Sequence, residues 1–397
     1  MLSGTAALVV EPSREAEEDA PAPLSVLIRD ARAIPLDWQR GWERLAREAS
    51  EPNVFAERWF AAAGIHHLLP DGSLWMLGVR GGGSDLIGLL PVRIERRYGR
   101  TPIAHVQNWS HHQSFLGTPL VRRGEEEAFW TEVLKALDAA QWARGFFHMT
   151  GLVEDGPVHH GLIEAAAALG RPCPIVHHSR RALLQSVLPP KAYYEQAVRK
   201  KKRKELARLS ARLRELGSVA FSRAESAEEA ARCCDEFLAL EAAGWKGRAG
   251  TALACDPAKE AFFRDAVAGA QAAGRLEFLR LALDDRPIAM LVNFVAPPGG
   301  FTFKIAFDEA YARFSPGVLI QIENLEVLKR SDIAWMDSCA VEDHPMINSL
   351  WTERRSIVRV TVPLAGYRRR ALYAGARALE TGSALLRRLL TPGKSEA

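Results

Sequence analysis

The chain of 397 residues carries a formal net charge of +4, with 48% of its residues apolar and 25% charged. That balance belongs to a globular protein and excludes a fibrous or fully disordered chain, and the length suits two domains that each bury a core. So small a net charge does not by itself call for a nucleic-acid partner, and nowhere do roughly 18 apolar residues run together as a membrane span requires.

The first ten residues hold a short apolar run without a basic flank, and an acidic stretch follows from Glu11 to Asp19. A cleaved secretory signal is therefore not expected, and a cytoplasmic location is. Residues 1–24 offer little to bury and read as a disordered tail. Helical apolar spacing follows over 52–64 after the cap signal of Asn53. Then come two strands around a glycine turn in SLWMLGVRGGGSDLIGLLPVRIER, a helix over 125–143, a strand over 145–151, a helix over 161–170 and a strand over 182–188. Residues 190–216 make one long predicted helix with cations around most of its circumference and Gly217 as its stop. Beyond it the pattern gives a strand (218–222), two helices (227–243 and 259–273), three strands (276–283, 288–295 and 300–307), a helix (315–330) and a strand (333–337). Hairpins sit at the centre of this order, whereas a doubly wound sheet alternates strand and helix throughout. The expected class is mixed α/β (α+β). Five cysteines (Cys173, Cys233, Cys234, Cys255, Cys339) match neither a zinc spacing nor a disulfide framework, so no metal is expected.

The segment FTFKIAFDEAYARFSPGVLIQIENLEVL (301–328) ends a strand, turns through a short loop and opens an apolar helix at Ser315-Pro316-Gly317. Serine is a good N-cap, proline suits the first turn, and glycine lets an anion approach the backbone. Such a helix start offers unpaired N–H groups and a partial positive charge to a phosphate, and Arg313 can pair with the same anion. An ordinary capped core helix has the same signature.

With EAAGWKGRAGTAL (241–253), LDDRPIAMLVNF (283–294) and FKIAFDEAYARFSPGVLI (303–320) read together, the chain resembles the CelD/BcsL-type acetyltransferase group of the GNAT superfamily. FAERWF, GLLPV and HHQSFLGTPLV extend the resemblance through the first half. It implies a tandem GNAT-like fold related to the FemAB-like transferases, with a degenerate first unit and an acyl-CoA donor in the second. By resemblance, Arg313, Phe314, Ser315, Pro316, Gly317 and Val318 stand where the CoA pyrophosphate is held. Of the usual signature only Arg313 and Gly317 are recognisable. The backbone of the strand over 288–295 is the family's place for the donor to the thioester oxygen.

Acyl transfer to an amine also needs a base for the amine proton and an acid for the thiolate. In DSCAVEDHPMINSLW (337–351), Glu342, Asp343 and His344 directly follow a strand. Histidine is the side chain suited to proton transfer near neutral pH, so His344 is the favoured base with Asp343 or Glu342 to orient it. Glu241 is the rival, and Asp308 and Tyr311 are weaker candidates. His111 and His112 have no third ligand nearby for a metal and are assigned, with Trp245, Lys246 and Lys304, to substrate binding; structural hydrogen bonding explains them equally well.

Two basic segments complete the pattern. Arg199 to Lys204 is a run of six cations without interleaved aromatics, read as a solvated face, a contact for CoA phosphates or a contact for anionic lipid. Near the end, Arg368, Arg369, Arg370, Arg377, Arg387 and Arg388 face a single Glu380 beside Leu372, Tyr373, Ala376, Leu379, Leu385, Leu386, Leu389 and Leu390, as in an interfacial amphipathic helix; packing on the body is the alternative. The division expected is a tail (1–24), a degenerate GNAT-like unit (25–189), a basic connecting helix (190–217), a catalytic acyl-CoA unit (218–364) and an amphipathic tail (365–397). The function expected is an acyl-CoA-dependent N-acyltransferase that acts without metal on a membrane-associated amine. A sphingoid long-chain base is the most specific acceptor, with an amino sugar or polysaccharide, or a non-catalytic envelope-assembly scaffold, as alternatives. Peripheral contact with the inner membrane is expected, and no nucleic acid.

Overall fold

The structure is a computed structural model that describes residues 24–69, 72–82 and 85–390, with side chains as far as 381. The expected tail before Leu24, and the tail residues Leu385, Leu386, Arg387, Arg388, Leu389 and Leu390 as side chains, lie outside that description.

The first half runs β1 (Ser25–Asp30), α1 (Leu36–Glu48), α2 (Arg58–His67), β2 (Trp75–Arg80), β3 (Leu86–Glu95), β4 (His105–Asn108), β5 (Leu120–Val121), α3 (Glu126–Ala139), β6 (Phe146–Val153), α4 (Pro157–Ala168) and β7 (Ile175–Leu184). Helices α5 (Pro190–Ala197) and α6 (Lys200–Arg214) lead to the second half. There the order is β8 (Val219–Arg223), α7 (Ala227–Ala243), α8 (Trp245–Arg248), α9 (Pro257–Ala272), β9 (Leu276–Leu283), β10 (Arg286–Ala296), β11 (Gly299–Phe307), α10 (Pro316–Glu323), β12 (Trp335–Asp337), α11 (Pro345–Asn348), β13 (Glu353–Pro363) and α12 (Tyr367–Leu390). The class is mixed α/β, as expected.

One sheet holds the strands in the order β1-β2-β3-β4-β6-β13-β7-β12-β11-β10-β9-β8, with β5 beside β3. This path is a palindrome. Each half contributes a strand, a helical pair, three antiparallel strands, a helix and a strand. In each half the short parallel contact comes at the same step, β4 with β6 and β11 with β12. The last strands are exchanged: β13 pairs with β6 of the first half, and β7 pairs with β12 of the second.

Local chemistry explains the elements that flank the site. The run RPIAMLVNFVA of β10 is apolar almost throughout because the strand is buried on both faces. Ser226 and Glu229 close a capping box on α7, and Asp256 caps α9 ahead of Pro257. Phe237, Phe262 and Phe263 of α7 and α9 pack on Phe278, Phe294 and Phe303 of the sheet and reach Phe55 and Phe60 of the first half, so one core joins the two.

Three expectations change. The helix foreseen over 190–216 breaks, because Val198 is extended and Arg199 also leaves the helical conformation; Val198 is buried, and its carbonyl accepts from Arg203 Nε at 3.0 Å. The helix foreseen over 315–330 tightens into a 3-10 turn at Asn324–Lys329, where buried Asn324 accepts from Asn293 at 2.8 Å. The segment after 365 is docked through its first turns. Arg369 donates to the carbonyls of Asp138 and Ala140 at 2.8 Å each, Ala376 is buried, and Tyr373 meets Phe146 edge-on. Arg377 pairs with Glu380. Among the described residues no helix is long and apolar enough to cross a membrane.

Candidate active site

At the start of α10 the local geometry differs from a serine-capped helix. Ser315 is left-handed (φ 55°) and its side chain makes no cap bond. Its carbonyl instead accepts from the N–H groups of Val318 and Leu319, at 2.9 and 3.1 Å. Pro316 has no N–H, so among the described residues Gly317 keeps the one unpaired N–H in this turn. Arg313 is exposed over the Phe314 ring and has no carboxylate partner among the described residues. A Cβ on Gly317 would lie 3.4 Å from Phe307 and 3.9 Å from Met346, so α11 stands next to this turn. Ser349, directly after α11, donates to the Met346 carbonyl and accepts from Lys202 of α6. The basic run at the start of α6 is thereby drawn to the same end of the sheet. Lys202 is partly spent there, Arg203 turns to its own helix start, and Arg199, Lys200, Lys201 and Lys204 stay exposed.

The two halves differ most where their parallel strands part. Beside α10, β11 pairs with β12 only from Gly299 to Phe301, and from Thr302 to Phe307 this edge has no strand next to it among the described residues. Thr302 Oγ1 is buried without a partner, and the N–H of Cys339 turns to Asp337. The equivalent place in the first half is shut: Asn108 accepts from the N–H of Thr150 at 2.8 Å and donates to its carbonyl at 3.0 Å. Its helix α3 also begins with Glu126 and Glu127, which set negative charge where an anion would sit. The second half therefore holds a slot that the first half lacks. The expectation that the backbone of 288–295 serves the thioester is corrected, because β10 lies between β9 and β11 and its backbone is used in both ladders. The unpaired edge belongs to β11.

A β-bulge at Phe303 precedes Lys304, whose partner is Val292 while Thr302 faces Asn293. Lys304 has no hydrogen-bond or ion partner among the described residues, and burial pushes its ammonium down to about 8. Glu241, Lys246 and Lys259 act on it electrostatically, and it acts on His112, whose pKa is lowered first by desolvation and then by Lys259 and Lys304. Lys304, Lys246, Glu241 and His112 are thus brought together on the α7–α9 side of the sheet. Glu241 is buried, and both of its oxygens are engaged: Lys246 Nζ donates to Oε1 and the Leu253 N–H to Oε2, each at 2.8 Å. Trp245 is 56% exposed at the rim. Its N–H and the Arg248 guanidinium both donate to Glu309 at 2.6 Å, which ties α8 to the loop that leads to α10.

Other expected site residues are placed elsewhere. His111 does not line the opening. It is buried between Phe60 and Phe262, its Nε2 is unpartnered, and burial lowers its pKa to about 3. His344 caps α11, its Nδ1 accepting from the Ile347 N–H at 3.5 Å. Asp343 and Glu342 are exposed, and neither side chain bonds to His344 among the described residues, so the expected orienting pair is absent. Asp308 caps the turn into Ala310 and pairs with Arg286. Lys259 and its partner Asp256 were not foreseen; they sit in an ordinary helix start that carries no signal of the site.

Residues 200–344 match the family model described as an acetyltransferase (GNAT) domain. A comparison with curated proteins by sequence finds no match. Among solved structures, FemX superposes with a TM-score of 0.55 at 8% identity, over 85% of this chain and 96% of that one. A conserved protein of unknown function from Bacteroides thetaiotaomicron gives 0.55 at 10% identity, over 85% of this chain and 100% of the other. L-PGS from Bacillus licheniformis gives 0.50 at 9%, over 86% and 96%. At such identities the likeness speaks for the fold, and the matched domain covers the slot, the α10 turn and, of the cluster, Lys304, Lys246 and Glu241 but not His112. The chain is an acyltransferase whose acetyltransferase (GNAT) domain lies in the second half of a mixed α/β fold with two similarly ordered halves.

Proposed function

We propose that the chain transfers an acyl group from acyl-CoA to an amine by direct attack on the thioester, with the donor bound in the second unit. The difference between the two units carries this reading: the slot beside β11 is open next to an anion-ready turn, and its counterpart is stapled by Asn108. Arg313, the Gly317 N–H and the exposed cations of α6 suit the pyrophosphate and phosphate of the donor. Edge N–H groups of β11 can meet the thioester oxygen as it gains charge. Trp245, Lys246, Lys304 and His112 line the acceptor side. His344 is proposed as the base that takes the amine proton, since only one of its ring nitrogens is engaged. Glu241 is better explained as a clamp on the 246–253 loop. The thioester carbon bonds to the amine nitrogen, the C–S bond breaks, and the thiolate leaves as CoA once it takes up a proton.

The acceptor we propose is an amine at a membrane surface, in its most specific form a sphingoid long-chain base. Support comes from the exposed cations of α6 and from Tyr367, Leu372 and Leu379, which α12 leaves uncovered. The test is CoA release with acetyl-CoA and long-chain acyl-CoA against sphingoid bases, amino sugars and simple amines. Gly317→Asp should weaken CoA binding more than tenfold with the fold intact; unchanged affinity by calorimetry moves the donor site. His344→Ala should slow turnover about 10²- to 10⁴-fold. Full activity in that variant beside a loss in Lys304→Met or Glu241→Gln reassigns the base. Absence of both turnover and CoA binding favours a scaffold.

A further inference from the structure

Away from the slot, a cavity of about 810 Å³ lies between α12 and the face of β4, β6, β13 and β7. Arg97 and Arg100 enter it from the loop after β3, and Arg359 enters from β13. None of these three has an ion pair or hydrogen bond among the described residues. Among the described residues the one carboxylate in the wall is Glu380, already engaged by the Tyr98 hydroxyl and Arg377. Three arginines without ion pairs among the described residues thus line a space with one neutralised acid, a charge balance that suits a phosphate or carboxylate, which guanidinium groups bind through paired N–H donors.

The cavity also asks for a second kind of group. His148, 95% buried, lines it from β6, and its Nδ1 donates to the Val360 carbonyl at 3.2 Å. Desolvation lowers its pKa to about 3, so the ring is neutral with its proton on Nδ1. Nε2 is then an acceptor without a partner, which suits a hydroxyl or N–H of a ligand. Gln107 and Thr101 supply further polar groups. A smaller cavity of about 200 Å³ shares Arg359 and His177 and continues past Ser179 to Ser110 and Ser114, on the loop that also carries His112.

We propose that this cavity is a second ligand site, which takes a phosphate ester of a polyhydroxylated molecule, either free or as the headgroup of a membrane lipid. The arginines hold the phosphate, and His148, Gln107 and the serine-lined extension receive the hydroxyls. The size falls within the range of small-molecule sites. Because Arg97, Arg100 and Arg359 are exposed, their side chains can be shortened without opening the core.

Two probes separate the sources. Inositol 1-phosphate is followed by calorimetry on the full chain, and phosphatidylcholine vesicles with and without phosphatidylinositol are followed by co-sedimentation. Binding of the soluble ester points to a free ligand, and inositol-lipid-dependent sedimentation without it points to a headgroup; either supports the site. Arg359→Gln, and separately the pair Arg97→Gln and Arg100→Gln, should weaken the responding probe at least tenfold while CoA affinity and the thermal midpoint stay at wild-type values. The proposal is overturned if neither probe binds, if both variants bind as wild type, or if CoA displaces the ester, which would put it at the α10 turn.

Discussion

His111 offers a direct test of the core that joins the two halves. Its ring lies 5.5 Å from Phe60 and 5.0 Å from Phe262, and its Nε2 has no partner, so protonation would strand a charge among aromatics. Burial lowers its pKa to about 3, whereas an unfolded chain leaves histidine near 6.5. With the folded value depressed, the unfolded state takes up the proton first. Stability is therefore full above about pH 6.5 and falls as the pH drops from there toward 3. At about 1.4 kcal/mol per pH unit, the drop from 6.5 to 5 costs roughly 2 kcal/mol through this one group. His148, also lowered to about 3, adds a similar loss. His111→Gln keeps a polar side chain but removes the titration, so its stability should fall about 2 kcal/mol less than that of wild type between pH 7.5 and 5.0. Urea unfolding at the two pH values measures this, and the difference of differences cancels whatever the substitution costs at neutral pH. Parallel losses in both proteins would refute the reasoning and show His111 to be open to water or already charged.

Two further outcomes follow from charges elsewhere. Asp337 is fully buried and accepts from Arg181 at 2.7 Å and Arg355 at 3.2 Å, so Asp337→Asn should destabilise by about 3–5 kcal/mol. Despite desolvation, these arginines hold the Asp337 carboxyl below its usual value; its contribution is present above about pH 3.8 and fades as pH falls through the folded pKa, so the gap between wild type and variant should narrow in acid. On α12, Arg368 and Arg370 are exposed, and each cation near an anionic leaflet contributes on the order of 1 kcal/mol. Reversing both to Glu should lower co-sedimentation with anionic vesicles at low salt, and equal sedimentation would remove this helix from membrane contact.

The second half was largely legible because its elements carry strong local signals. The helix over 227–243 is kept as expected, and the helix over 259–273 and the strand over 288–295 are found with ends moved by one or two residues, since the Ser226–Glu229 capping box and Asp256 ahead of Pro257 reinforce the apolar pattern. The first half was less so: β1, α1 and β4 were not foreseen, and β4 is only four residues long and held by neighbours rather than by its own pattern. Strand β13 was also missed, since ERRSIVRVTVP mixes three arginines into a buried strand. Arg355 finds Asp337 and the Trp335 ring, but only once the sheet has placed β12 across β7 from it. In the site, the clustering of Trp245, Lys246 and Glu241 was readable from proximity along the chain. His112 and Lys304 were grouped through the family resemblance, but the bulge and the packing of the two halves that bring Lys304 within electrostatic reach of His112 leave no mark along the chain. Nothing in a sequence distinguishes the stapling Asn108 from any other asparagine.

The exchanged strands fix an order on the birth of this protein. Until residues 353–363 leave the ribosome, β6 lacks its neighbour β13, and β7, whose two neighbours β13 and β12 both belong to the second half, starts with neither, so the first half waits with bare strand edges while the second is made. Neither half can close by itself, and a chain cut in the α5–α6 linker should yield two sticky fragments rather than two domains. The same arrangement ties the two halves together: mutations that loosen the first half reach the half that carries the acetyltransferase domain through β7 and β13.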